Sequence, residues 1–262
     1  MKIRPKKSLG QNFLKDDNIL DLIVKLGEIK DINTVLEIGP GTGNLTDKII
    51  KKNPLKLIVV EKDNELARKL RMKFKENIIL INDDILKVKE EDLIYNKMIV
   101  FGNLPYNIST QILIKFIRSQ ILSKFIKKII FMFQKEVADR IVAKHNSNKY
   151  GRISIISSWK MNVKKVKEIS PYSFYPSPKV KSTILVFEPK KNYYNIKDCK
   201  NLEYVTQVFF NFRRKKIKKS LNILFGNYEK ISKKLNIDFN KRPQNLEPIT
   251  YFKLCEEYEK II

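Results

Sequence analysis

Asn103-Leu104-Pro105-Tyr106 directly follows an apolar run over 98–101, so a polar amide, two apolar residues and an aromatic ring occupy four consecutive positions. An Asn side-chain oxygen and a neighbouring backbone carbonyl are two hydrogen-bond acceptors. Placed on one planar amine, they draw its lone pair out of conjugation and onto the nitrogen as a bond forms. The exocyclic amine of adenine is a poor nucleophile for lack of that localisation, so the side-chain oxygen of Asn103 and the carbonyl of Leu104 suit transfer to such a nitrogen, with no acid or metal required. Tyr106 would stack on a flipped-out base, and Pro105 fixes φ in the turn that aims the carbonyl. A strand ending in an Asn- and Pro-containing turn accounts for the same four residues. The rest of the chain decides between the two.

A glycine-rich signal lies upstream. Val35-Leu36-Glu37-Ile38 reads as a short buried strand running into Gly39-Pro40-Gly41-Thr42-Gly43 and then a helix over 44–52. Such glycines permit positive φ and let a ligand approach the backbone at a helix N-terminus. A second apolar strand over 57–60 ends at Glu61, twenty positions past Gly41 (61 − 41), where an acidic group can grip ribose hydroxyls. The third glycine of the dinucleotide fingerprint would fall at Asn44, so the loop need not cradle a pyrophosphate, and S-adenosylmethionine fits better. A third strand over 78–81 ends at Asn82-Asp83-Asp84-Ile85. There a carboxylate, Asp84 in preference to Asp83, can accept a hydrogen bond from the cofactor's adenine amine; a solvated strand-to-loop turn is the alternative for both.

These residues resemble, nearly end to end, the ribosomal-RNA small-subunit adenine dimethyltransferase family, which converts two adjacent adenosines near the 3′ end of small-subunit (16S) rRNA to N6,N6-dimethyladenosine. The likeness begins at Lys7-Ser8-Leu9-Gly10-Gln11-Asn12-Phe13-Leu14 and continues through Glu37 to Gly43, Glu61, Asp84 and Asn103 to Tyr106. It extends to Phe133-Gln134-Lys135-Glu136-Val137-Ala138, Phe174-Tyr175-Pro176-Ser177-Pro178-Lys179-Val180, the segment from Phe209 to Lys216, and Arg242-Pro243. Pro243 stands where the family more often carries a small residue followed by Glu. The resemblance implies a site for S-adenosyl-L-methionine lined by Gln11, Asn12, Leu14, Glu37, Gly39, Gly41, Glu61, Lys62, Asp84, Ile85 and Asn103, with Gln11 and Asn12 beside the methionine end. It implies catalysis by Asn103, Leu104, Pro105 and Tyr106, with Phe174 against the target adenine opposite Tyr106. Arg213, Arg214, Lys215, Lys216 and Lys179 are the RNA contacts it implies, and the partner is small-subunit rRNA in the immature 30S subunit, met by a monomer.

Composition agrees. The chain carries 53 Lys+Arg against 28 Asp+Glu, a formal net charge of +25, which suits a polyanionic partner. Part of that charge fits an AT-biased genome rich in Lys, Ile and Asn codons, so clustering is the better guide. Arg213 to Lys216 share a segment with Lys218 and Lys219, while Lys164, Lys165, Lys167, Lys179 and Lys181 flank the Phe174 loop. Basic residues beside a stacking aromatic suit single-stranded or flipped nucleotides. Cys199, Cys255 and the sole histidine, His145, exclude a disulfide framework, a His/Cys metal site and a triad hydrolase, and point to a reducing compartment. The basic start lacks the apolar stretch of a signal peptide, and no apolar run reaches the length of a membrane span, so a cytoplasmic protein is expected.

Apolar strands near Val35, Leu57, Ile78, Met98, Ile129, Val163 and Ile184 alternate with helices near Leu20, Leu45, Ala67, Ile112, Val137 and Ile155. That alternation predicts an α/β fold, a Rossmann-like S-adenosylmethionine-dependent methyltransferase with a parallel sheet and helices on both faces. Gly39, Glu61, Asp84 and Asn103 then fall at the carboxyl ends of the first four strands, where such sheets bind ligands. Past Pro189 only helical segments follow, over 204–212, 215–225 and 251–259. The expected division is a catalytic domain over 1–189 and a small all-α RNA-binding domain over 190–262, with Phe209, Phe210 and Phe212 as core. Three other readings share the motifs: a resistance-type methyltransferase acting on a large-subunit rRNA adenine, an adenine-specific DNA methyltransferase, and an RNA-binding assembly factor that keeps the pocket without using it.

Overall fold

The computed structural model describes residues 5–6, 9–30, 33–89, 91–93, 97–119 and 122–262; Lys7 and Ser8 of the N-terminal motif lie outside the described residues. In chain order the first elements are β1 (Phe13–Leu14), α1 (Asp17–Gly27), β2 (Thr34–Ile38), α2 (Asn44–Ile50), β3 (Lys56–Val60), α3 (Asn64–Phe74) and β4 (Ile79–Ile81). There follow β5 (Met98–Asn103), α4 (Ser109–Arg118), α5 (Leu122–Phe125), β6 (Ile126–Gln134), α6 (Lys135–Ile141), α7 (Arg152–Lys160), β7 (Met161–Ile169), β8 (Phe174–Tyr175) and β9 (Ser182–Pro189). The chain ends in α8 (Cys199–Asn211), α9 (Lys218–Phe225), α10 (Tyr228–Leu235) and α11 (Pro248–Tyr258). Two compact units divide the chain: residues 1–138 with 163–189, and residues 139–162 with 190–262.

In the first unit a seven-stranded sheet has the order β4-β3-β2-β5-β6-β9-β7. β2 and β5 are buried over nearly their whole length, because central parallel strands covered on both faces have no solvent side. β2 pairs in parallel with β3 and β5, and β4 and β6 extend that set. β9 departs from the all-parallel expectation and runs antiparallel to β6, with Gln134 opposite Ser182. It is reached from β7 through residues 170–181, which lack the crossover α-helix that a parallel strand requires. Local sequence sets the flanking helices. Asp16 caps α1 by accepting from the amides of Asn18 and Ile19, and Ile19, Leu20, Ile23 and Val24 form its buried stripe. Gly27 lets α1 lie close on β5, since a Cβ there would stand 2.4 Å from the Phe101 ring.

The second unit is helical. Phe209 and Tyr251 are fully buried at its centre, their rings 5.3 Å apart and edge to face, while Phe210 and Phe212 are only partly buried. Residues 139–162, expected within the catalytic domain, group with this unit because α7 packs on α8 and α11. In this unit one helix escaped the sequence reading: half of α10 is charged, although Asn227 caps its start by accepting from the Lys230 amide and Asn236 ends it in the left-handed region at φ 51°. Those two asparagines are the signal that could have found it.

Candidate functional site

The carboxyl ends of β2, β3, β4 and β5 open on one cavity, and Gly39, Gly41, Glu61, Asp84 and Asn103 all line it. Gly39, Gly41 and Gly43 have φ of 66°, 58° and 79°, so the turn between β2 and α2 needs glycine at each. At Gly41 space is limiting as well, because a Cβ would lie 2.8 Å from the ring of Phe13. Glu61 follows β3 and is 7% exposed; its carboxylate accepts from the amides of Gly41 (3.1 Å) and Asp63 (2.8 Å). Burial pushes its pKa up, and the two amides oppose that rise. Glu37 on β2 is 1% exposed and accepts from the Thr46 hydroxyl at 2.7 Å. Burial raises its pKa to about 8 against the pull of that hydroxyl.

Beyond β4, Asp83 and Asp84 both line the cavity but differ in setting. Asp83 is exposed, and its carboxylate accepts from the Asp84 amide. Asp84 is half-buried, accepting from the Leu86 amide at 3.0 Å and from Lys62 Nζ at 2.9 Å. Burial pushes its pKa up, and the Leu86 amide and the Lys62 ammonium together bring it below the ordinary value. Ile85 is buried beside it, and Lys62 itself is exposed.

The N-terminal segment supplies another wall, and the partner that organises it is Asp63, which sequence reasoning missed. Asp63 caps α3 through the Glu65 and Leu66 amides and is 3% exposed. Its carboxylate also receives Lys6 Nζ and Gln11 Nε2, each at 2.9 Å. Burial raises the Asp63 pKa, and Lys6, Gln11 and the helix amides outweigh it, so the net shift is downward. Gln11 is therefore held at both ends, its Oε1 accepting the Lys6 amide at 2.7 Å. The Asp-x-Glu run at the start of α3 is an N-cap pattern; that it would also anchor a segment fifty-two positions away leaves no local signal. Further along, the Leu14 carbonyl accepts Asn44 Nδ2 at 2.8 Å, and Asn103 Nδ2 donates to the Asn12 carbonyl at 2.9 Å. A carbonyl can only accept, so this bond fixes which end of the Asn103 amide is which and leaves its Oδ1 as the acceptor at the cavity.

Leu104, Pro105 and Tyr106 line the same cavity. The Pro105 carbonyl accepts the Ile108 amide and the Tyr106 carbonyl accepts the Ser109 hydroxyl, which closes the turn into α4. The Tyr106 hydroxyl lies 2.6 Å from Ser182 Oγ on β9, and burial raises its pKa.

The fold does not bring every candidate to the cavity. Phe174 is 1% exposed in the core cluster with Leu14, and it does not line the cavity. β8 pairs with β1, Leu14 opposite Phe174 and Phe13 opposite Tyr175, and strand alternation turns Phe174 inward and Tyr175, at 58% exposure, outward. In this structure Phe174 thus presents no face to a base. Lys179 is exposed in the following loop. In the second unit Arg213 is half-buried and donates to the carbonyls of Tyr150 (2.7 Å) and Asn148 (2.6 Å), with its guanidinium 5.6 Å from the Phe210 ring centre, so it braces the 148–150 turn. Arg214, Lys215 and Lys216 are exposed, and Lys215 and Lys216 line a groove with Lys218 and Lys219. Among the described residues no His/Cys/Asp/Glu group could hold a metal ion, and no helix is long and apolar enough to cross a membrane.

A mostly parallel sheet in which β9 is reversed, and a glycine-floored cavity at the carboxyl ends of its central strands, define a Rossmann-like methyltransferase. The chain matches the crystal structure of a dimethyladenosine transferase from Plasmodium falciparum with a TM-score of 0.78 and 27% identity, covering 95% of this chain and 98% of that one. It shares its fold with the 23S rRNA methyltransferase ErmE at a TM-score of 0.70 and 22% identity, over 94% of this chain and 99% of the other. In sequence it is 54% identical over 261 residues to ribosomal RNA small subunit methyltransferase A of Pelagibacter ubique, covering 100% of this chain and 99% of that protein. The corresponding protein of Ehrlichia chaffeensis is 39% identical over 94% of this chain and 93% of its own length. The family profile described as ribosomal RNA adenine dimethylase matches residues 3–260, and the chain belongs to that family of methyltransferases.

Proposed function

We propose that this chain transfers methyl groups from S-adenosyl-L-methionine to N6 of two adjacent adenosines near the 3′ end of small-subunit rRNA, giving N6,N6-dimethyladenosine, and that it acts in the cytoplasm as a monomer on the immature 30S subunit. The observation that carries the reading is the Asn103 amide, whose nitrogen is held by the Asn12 carbonyl and whose oxygen remains as an acceptor at the cavity.

The residues present fit the cofactor. Gly39 and Gly41 leave a floor without side chains, and a Cβ at Gly41 would displace Phe13. Glu61 has acceptor capacity beyond its two amide donors for ribose hydroxyls, and Asp84, with Ile85 beside it, offers a carboxylate to an adenine amine. Glu61 is a buried acid in a chain of net charge +25, and a cationic ligand compensates its carboxylate. When bound, S-adenosylmethionine supplies an electrophilic methyl group on its sulfonium.

The chain's own part is alignment and polarisation. Asn103 Oδ1 and the Leu104 carbonyl accept the two N–H groups of the target amine, and Tyr106, steadied by Ser182, stacks on the base. An amide oxygen is too weak a base to keep a proton, so the proton lost at each transfer passes to solvent. After the first transfer one N–H remains and needs one acceptor, so the same pair of groups serves the second. We assign this chemistry to the first unit. Arg214, Lys215 and Lys216 of the second, with Lys179, take phosphates of the RNA.

The test is mass spectrometry of small-subunit rRNA from a strain lacking this enzyme, after incubation of immature subunits with the protein and labelled S-adenosylmethionine. N6,N6-dimethyladenosine at two adjacent positions near the 3′ end is expected. Label on large-subunit rRNA instead would point to the resistance type, and no label with cofactor binding intact would point to an assembly factor.

A further inference from the structure

Residues 175–181 are tied at both ends to walls of the cavity. At one end Tyr175 pairs with Phe13, whose ring covers Gly41. At the other, the Lys181 carbonyl accepts the Lys135 amide at 2.9 Å, and the next residue, Ser182, meets the Tyr106 hydroxyl. Between these anchors the segment turns its side chains to solvent: Tyr175 is 58% exposed, Val180 44%, and Lys179 and Lys181 are exposed as well. Among the described residues no acidic group pairs with either lysine. An exposed aromatic ring beside uncompensated positive charge suits a single-stranded nucleotide, which presents an apolar face and an anionic phosphate together.

We infer that this segment is a second base-stacking site, which takes the nucleotide next to the one at Tyr106, with its base on the Tyr175 ring and its phosphate on Lys179 and Lys181. The inference rests on the rRNA reading given above. Extruding one base strips its neighbour of a stacking partner, and an aromatic ring on the strand paired with the cavity wall replaces what is lost. With two adjacent adenosines to modify, a site that holds one while the other reacts keeps both within reach. Phe174 cannot serve, being packed in the core one residue earlier on the opposite face of β8.

The test uses the full chain and a small-subunit rRNA 3′-end fragment carrying 2-aminopurine beside the target adenosine. Wild type and Tyr175→Phe should quench its fluorescence on binding. Tyr175→Leu, which keeps bulk but loses the ring, should abolish the quench and weaken RNA binding on the order of tenfold. S-adenosylhomocysteine should bind all three equally, which shows that they are folded. Tyr172, 82% exposed on the same connection but in no strand, is the control. Tyr175→Leu quenching like wild type, or an equal loss in Tyr172→Ala, overturns the inference. If wild type methylates small-subunit rRNA and Tyr175→Leu still quenches, this inference alone fails; if wild type leaves that rRNA unmethylated, the functional reading fails with it.

Discussion

The two halves of the cavity are built from opposite chemistry. The β2–β4 rim carries Glu37, Glu61 and Asp84, with Asp63 behind it, while the β5 rim carries Asn103, Leu104, Pro105 and Tyr106, with no group charged near neutral pH. In a chain of net charge +25, gathering carboxyl groups on one side of one cavity runs against the composition. The difference teaches that the halves have different tasks. On the function proposed above, one grips a cationic, hydroxyl-bearing ligand through Glu61 and Asp84. The other must accept hydrogen bonds from an amine without taking its proton, which an amide and a backbone carbonyl do and a carboxylate does not.

Substitutions on the two rims should therefore separate in kinetics. The largest effect is expected from Asn103→Ala, which should lower the rate of methyl transfer by roughly 10²–10³, while S-adenosylhomocysteine affinity measured by calorimetry stays within a few-fold. An unchanged rate would dissolve the contrast between the halves. On the acidic rim Asp84→Ala should behave in the converse way, weakening cofactor binding about tenfold as a charged hydrogen-bond acceptor is lost, with the rate at saturation retained; normal affinity would return Asp84 to a structural role in its turn.

A smaller effect concerns Glu37, which burial holds in its neutral form. Its pKa rises from the ordinary 4.5 to about 8 on folding, so between those values the folded chain binds the proton more tightly than the unfolded one. Stability of the ligand-free protein should then fall as pH climbs through that window, and Glu37→Gln should flatten the decline. Thermal melts of both proteins from pH 5 to 9 read this directly, and parallel curves would remove the acid from the account. The smallest change should come from Lys6→Ala, because that ammonium is half exposed where it meets Asp63; its melting temperature should barely move, whereas Asp63→Ala, which also uncaps α3, should lower it clearly.

Much of the site was legible along the chain. Gly39, Glu61, Asp84 and Asn103 each sit where an apolar run stops, and a run that stops marks a strand end whatever the strand packs against. That Phe174 lies in the core was not legible, because its motif carries no information on which face of a two-residue strand turns inward; pairing with β1 settled that. Arg213 looked like its basic neighbours, and only the carbonyls of Tyr150 and Asn148 distinguish it.

By itself the amino-acid order determined the alternation of strands and helices, the glycine turn, the acidic strand ends and the amide at the end of β5, since each is written within a few consecutive residues. Tertiary structure alone decided that Asp63 anchors Lys6 and Gln11, that the Asn12 carbonyl orients Asn103, that Ser182 steadies Tyr106, and that residues 139–162 join the helical unit. The four anchoring contacts pair groups from 52 to 91 positions apart, and the grouping of 139–162 rests on packing against α8 and α11, so none of them has a local pattern to betray it. The anchoring contacts exist because parallel strands bring their carboxyl ends to one edge, and the chain before the sheet folds back across that edge.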